Sequence, residues 1–161
     1  MFETSYYRDL LECIQFLLAH LPLLAYLDIE AVHLAVSGGH PIYLVKNTGD
    51  WWWDAQDQVL AGATIVPVIG AAEKTPWTNC SGDQHGWPLY QTIGNVPKDI
   101  RWTPTMGTRI LVGLILCHPK GTKNMDKACH NAVGIVLSQL THLAITHPGL
   151  KWDCADGLQE H

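Results

Sequence analysis

The sequence predicts a mixed α+β fold in which a mixed or antiparallel β-sheet is packed by an N-terminal helix and a long C-terminal helix. Three observations carry that prediction. Leu10, Ile14, Leu17, Leu18 and Leu21 recur at the three-to-four spacing of one buried helical face. Residues 109–117 read Arg-Ile-Leu-Val-Gly-Leu-Ile-Leu-Cys, an almost continuous apolar run, as in a strand covered on both faces. Residues 124–146 form a long stretch that Asn124 can cap and Pro148-Gly149 closes.

Taken in order, Thr4 or Ser5 can cap the first helix, and Pro22 should end or kink it. Residues 28–36 mix Ile29, Ala31 and Val36 with Glu30 and His33 in a rough strand pattern closed by Ser37-Gly38-Gly39. Residues 42–45 read as a short strand, and Asn47-Thr48-Gly49-Asp50 as a turn into Trp51-Trp52-Trp53, together a hairpin. Residues 63–69 carry Pro67, which removes a ladder donor and implies an edge strand or a bulge. Short strands are expected at 89–93 and 100–103. The 109–117 strand is expected at the centre of the sheet. On the last helix Lys127, Asn131, Gly134, Ser138 and Thr141 form one narrow polar stripe.

The chain has 161 residues, near the usual size of one domain, so a single domain over 1–161 is expected. Residues 73–88 are rich in Pro, Gly, Asn, Ser and Asp and read as a long surface loop; loops of that length usually bind something or shape an interface. Only 16% of residues are charged, against roughly 25% in typical globular domains. Such a sparse surface predicts self-association or a covering partner. Ten basic against fifteen acidic residues give a net charge of −5, the wrong sign for gripping a phosphate backbone. No apolar run reaches the roughly 18 residues of a membrane span, and the N-terminus lacks the basic start of a secretory signal, so an intracellular site and no membrane partner are expected. Five cysteines at no framework-like spacing predict reduced thiols.

The dipeptides Cys117-His118 and Cys129-His130 could in principle give zinc four ligands. Neighbours on a strand or helix diverge, however, so both members of a dipeptide rarely reach one ion. Residues 79–85, Asn-Cys-Ser-Gly-Asp-Gln-His, place Cys80, Asp83 and His85 in one loop, the cast of a nucleophilic site without the fixed geometry of one. No dinucleotide or phosphate-loop fingerprint is present, and no catalytic residue, cofactor or metal is assigned.

Seven tryptophans are the main compositional oddity. As a strand, Trp51 and Trp53 would share one face and Trp52 the other, leaving at least one indole away from the core. Trp51, Trp52, Trp53, Trp77 and Trp87 are the candidate interface residues, with a wide core and the stacking of a sugar or base as the alternatives.

The element order, with the 109–117 strand followed by the 124–146 helix as its best segment, is similar to that of the tail terminator and head-to-tail completion (neck) proteins of tailed bacteriophages. That resemblance implies a non-enzymatic structural subunit of a homo-oligomeric ring, such as a hexamer, that caps the tail tube and docks it to the neck. It implies tail-tube and neck proteins as partners, DNA passing through a central channel without sequence-specific contact, and a place in the virion after assembly in the host cytoplasm. The alternative is a small metal-dependent or cysteine-based enzyme using the 80–85 loop or the Cys-His pairs.

Overall fold

The 109–117 run forms the strand around which the sheet is built. The computed structural model describes residues 6–76, 85–117, 125–146 and 150. Among the described residues five strands make one sheet: β1 (Tyr6–Tyr7), β2 (Val68–Ala72), β3 (Thr75–Pro76), β4 (His85–Ile93) and β5 (Ile110–Cys117). The order is β1-β5-β4-β2, with β3 also pairing β4. β5 is antiparallel to both of its neighbours. The β4–β5 register shifts between Leu89, opposite Gly113, and Tyr90, opposite Leu111, so one residue of β5 bulges there. Val112 and Ile115 are buried, while Leu111 is 41% exposed, so the start of β5 is covered on one face only.

Among the described residues the α-helices are α1 (Leu10–Leu18), α2 (Leu21–Leu24), α3 (Asp50–Gln56), α4 (Lys98–Arg101) and α5 (Met125–Thr146). The architecture is therefore α+β, as the sequence predicts. Close contacts group the described parts of residues 1–14, 70–91 and 109–149 into one compact unit, and those of 15–69, 92–108 and 150–161 into another.

In the first unit α5 packs on β5. Its five-residue polar stripe is exposed and Val136 is buried, as an amphipathic helix requires. The start of α1 is set by Asp9, whose Oδ1 accepts the Leu11 and Glu12 amides at 2.8 and 3.1 Å. That is an N-cap, four or five residues later than Thr4 or Ser5 would give. The delay has a cause: Tyr6 and Tyr7 are engaged in β1, opposite Leu114 and Gly113. Leu10, Cys13 and Ile14 are buried on the helix face. Gln139 of α5 accepts the Leu10 amide at 2.9 Å and donates to Asp9 Oδ2 at 2.8 Å.

The second unit departs most from expectation. Residues 28–36 form no strand beyond an isolated bridge between Ala35 and Pro41. Their backbone donors go elsewhere: Asp28 N–H to the Asn95 carbonyl at 2.7 Å and Val32 N–H to the Asn47 carbonyl at 2.8 Å. The expected 42–45/51–53 hairpin is replaced by a 3-10 turn at Lys46–Thr48 and by α3, so the three tryptophans lie on a helix. The turn is fixed by Thr48, whose hydroxyl accepts the Leu44 and Val45 amides and donates to the Val45 carbonyl. Three apolar residues in a row carry no period, whereas Asp50 in the first turn favours a helix start. Residues 100–103, expected as a strand, fall in α4 and its exit, where Pro97 precedes the first turn and Gly107 turns the chain at φ 60°. Of the stretch 73–88 expected as a loop, Thr75 and Pro76 pair with Gly86 and His85 as strands. Residues 77–84 lie outside the described ones.

Candidate functional site

The stretch leading from β4 into α4 is tightly built. Ile93, Asn95 and Val96 are fully buried. Asn95 donates both amide hydrogens, to the Asp28 and Ile65 carbonyls, each at 2.9 Å. Gly94 donates to the Pro67 carbonyl at 2.6 Å, and a Cβ at Gly94 would lie 2.9 Å from Pro67 Cβ. Only glycine fits that approach. Together these bonds fix the origin of α4 against the 28–32 and 65–67 segments.

A second group of side chains gathers around α3. Trp52 is fully buried. Trp51 meets it edge to face, ring centroids 6.3 Å apart at 83°, and is itself 59% exposed. Trp53 stacks on His33 at 3.6 Å and 11°. The Tyr43 hydroxyl donates to the Asp50 carboxylate, at 3.0 and 2.9 Å from its two oxygens. The indole N–H groups of Trp52, Trp53 and Trp87 find no acceptor among the described residues.

Two charged groups of this unit are displaced from their ordinary behaviour. Burial pushes the Asp28 carboxyl up. Burial, and then the Arg101 guanidinium, pull the Lys46 ammonium down, so Lys46 and Arg101 lie within electrostatic reach of each other. Lys46, Arg101 and the 66%-exposed Trp102 beside Arg101 were no part of the sequence-based candidate set. Their signal is weak in sequence, since Lys46 and Arg101 stand 55 positions apart and look like scattered surface cations.

The sequence-based candidates are dispersed. Trp51 is a surface residue of α3, Trp52 belongs to the core, Trp53 and Trp87 are half-buried, and Trp77 lies outside the described residues. Cys80, Asp83 and His118 also lie outside them. The backbone sets His85 opposite Cys117 across β4 and β5, Cys129 falls within α5, and His130 is exposed there. Among the described residues no group of three or more His, Cys, Asp or Glu gathers as a metal site would. Cys13 is a buried free thiol whose pKa is raised by burial.

A family model described as Plavaka transposase matches residues 3–158. No curated protein and no solved structure matches the chain. The family match overturns the likeness to phage tail terminator and neck proteins, and with it the ring subunit, the tail-tube and neck partners, the virion location and the expectation of no specific dealings with nucleic acid. Element order alone produced that likeness, and a terminal helix, several strands and a long closing helix are an order that many α+β proteins share. The match extends over nearly the whole sequence. The chain belongs to the Plavaka transposase family.

Proposed function

We propose that this chain is a DNA-handling part of a transposase, and that its role includes activity on nucleic acid rather than passive structure. The observation that carries the reading is the family match over residues 3–158. The acidic total does not oppose it, because fields are screened within about 8 Å at physiological ionic strength. Cations grouped on one part of a surface therefore act on a phosphate largely independently of carboxylates farther away.

The test is fluorescence anisotropy of labelled duplex and single-stranded oligonucleotides titrated with the full chain at several salt concentrations. The expected result is binding that weakens linearly in the logarithm of salt concentration, with Kd values of about 1–100 μM for non-specific sites. Absence of any binding to either form at low salt would overturn the reading.

A further inference from the structure

We propose that the exposed face of α3 is a docking surface for a basic segment of another protein, in which an arginine stacks on Trp51 and pairs with Asp54 while an apolar neighbour covers Leu44. The proposal goes beyond the transposase reading and does not depend on it.

The surface is built from one helix and the strip of chain before it. α3 turns Asp50, Trp51 and Asp54 to solvent and Trp52 into the core. Residues three and four apart on a helix are neighbours, so Asp54 stands beside both Trp51 and Asp50. The Tyr43 hydroxyl donates to the Asp50 carboxylate, and the Thr48 hydroxyl accepts the Leu44 and Val45 amides. Those bonds set residues 43–45 against the start of α3. Leu44 is 70% exposed, and Tyr43, Val45 and Trp51 are exposed with it. Large apolar side chains grouped in this way mark a surface that a partner covers, whereas scattered single ones do not. Trp51 is already braced edge to face against the buried Trp52, so a ligand that stacks on it orders little.

Charge decides what the partner is. Residues 15–69 carry Asp28, Glu30, Asp50, Asp54 and Asp57 against Lys46 alone, a formal −4 of the chain's −5. Asp50 and Asp54 stand four apart on α3, a spacing at which like charges destabilise a helix. No basic residue occupies the last turn of α3 to offset them. Among the described residues Asp50 is held by a neutral hydroxyl, and no cation pairs with Asp54. A phosphate backbone is repelled from such a face, and an uncharged partner would leave the repulsion between the carboxylates in place. A basic segment relieves it. A guanidinium laid on the Trp51 ring gains cation–π attraction, and its planar fork of N–H donors reaches the neighbouring carboxylate.

The experiment uses the full chain and a fluorescein-labelled peptide of repeated Arg-Leu-Gly units, with the same peptide carrying Glu for Arg as control, followed by anisotropy. The variants are Trp51→Ala, Trp51→Phe, Asp54→Asn and Asp54→Lys, each checked for folding by circular dichroism. The native chain should bind the arginine peptide and not the glutamate peptide. Trp51→Ala should weaken binding about threefold or more, with Trp51→Phe keeping most of the affinity. Asp54→Asn should weaken it about twofold to fivefold, and Asp54→Lys further still. Equal binding of the two peptides, or unchanged affinity in both Trp51→Ala and Asp54→Lys, would overturn the proposal. A native chain that ignores the arginine peptide but forms a dimer lost in Trp51→Ala would give the surface to a second copy and overturn it too. None of these outcomes bears on the oligonucleotide titration, which tests the transposase reading separately.

Discussion

Gln139 holds Asp9 in place: its amide donates to Asp9 Oδ2 at 2.8 Å, while the other carboxylate oxygen of Asp9 caps the first turn of α1. The carbonyl of the same Gln139 accepts the Leu10 amide at 2.9 Å, so one side chain of α5 satisfies a free donor at the head of α1 and orients its cap. A helix N-terminus leaves its first amides unpaired, and three of them are accounted for by these two residues.

Asp9→Ala should therefore cost about 1–2 kcal/mol, as loss of a good N-cap does. Gln139→Ala should cost about 1–3 kcal/mol by leaving the Leu10 amide and Asp9 Oδ2 short of partners. Because the two residues share one network, the double variant should cost less than the sum, with a coupling of about 0.5 kcal/mol or more. Urea denaturation of the three variants measures it. Strict additivity would mean that Gln139 does not position Asp9.

Trp51 and Trp52 are neighbours in sequence with opposite fates. Trp52→Ala removes a fully buried indole and should cost about 3–5 kcal/mol, enough to unfold a marginal unit. The residue is thus unsuitable as an interface residue whose loss leaves the chain folded. Trp51→Ala removes a mostly exposed ring and should cost no more than about 1 kcal/mol, chiefly its contact with Trp52. Thermal melts followed by far-ultraviolet circular dichroism separate the two. Equal loss in both would contradict the placement of Trp52 in the core.

What could be read from the sequence follows from where a period exists. The apolar run at 109–117 and the twenty-odd residues of α5 are long enough to declare themselves, and both stand in the structure, β5 with a partner on each side and α5 with its polar stripe in water. The 51–53 triplet is too short to show whether its period is two or 3.6, and α3 resolved it toward the helix. Residues 28–36 carry strand-forming types, yet the Asp28 and Val32 amides are taken by the Asn95 and Asn47 carbonyls, partners that only the folded chain brings near. The Lys46–Arg101 pair was illegible for the same reason, since no local pattern links positions so far apart. The Asp9 cap is legible in principle, since an aspartate directly before the apolar period is the ordinary start signal, whereas a cap at Thr4 or Ser5 would require Tyr6 and Tyr7, which pair with β5, to be helical.

Asn95 is fully buried, with both amide hydrogens on carbonyl oxygens. Asn95→Ala leaves the Asp28 and Ile65 carbonyls without those donors and should cost about 1–3 kcal/mol. Asn95→Asp should be worse at neutral pH, because a carboxylate would face two carbonyl oxygens with no proton to offer. Burial and that repulsion raise the folded-state pKa of the new carboxyl. Its deficit should therefore be smallest below the unfolded carboxylate pKa and grow as pH rises through the folded value. Denaturant midpoints relative to the native chain, measured at each pH, test the sign. A deficit that shrinks with rising pH would rule out the buried amide geometry.

Asp28 offers the natural counterpart. Its backbone is engaged with Asn95 in both directions, while desolvation raises the pKa of its carboxyl. A carboxyl whose folded pKa lies above its unfolded value favours folding most when protonated. Stability linked to it is full below the unfolded pKa and is lost as pH rises through the folded pKa. Asp28→Asn keeps the size and the backbone bonds but removes the charge, so it should melt higher than the native chain at pH 7. The gain should shrink on acidification and vanish below the ordinary carboxylate range, where native Asp28 is neutral in both states. Melting temperatures of the two proteins from pH 3 to pH 8 trace that difference. A gain independent of pH would assign the effect to packing, and a loss at pH 7 would show that the carboxylate has a favourable partner outweighing its desolvation.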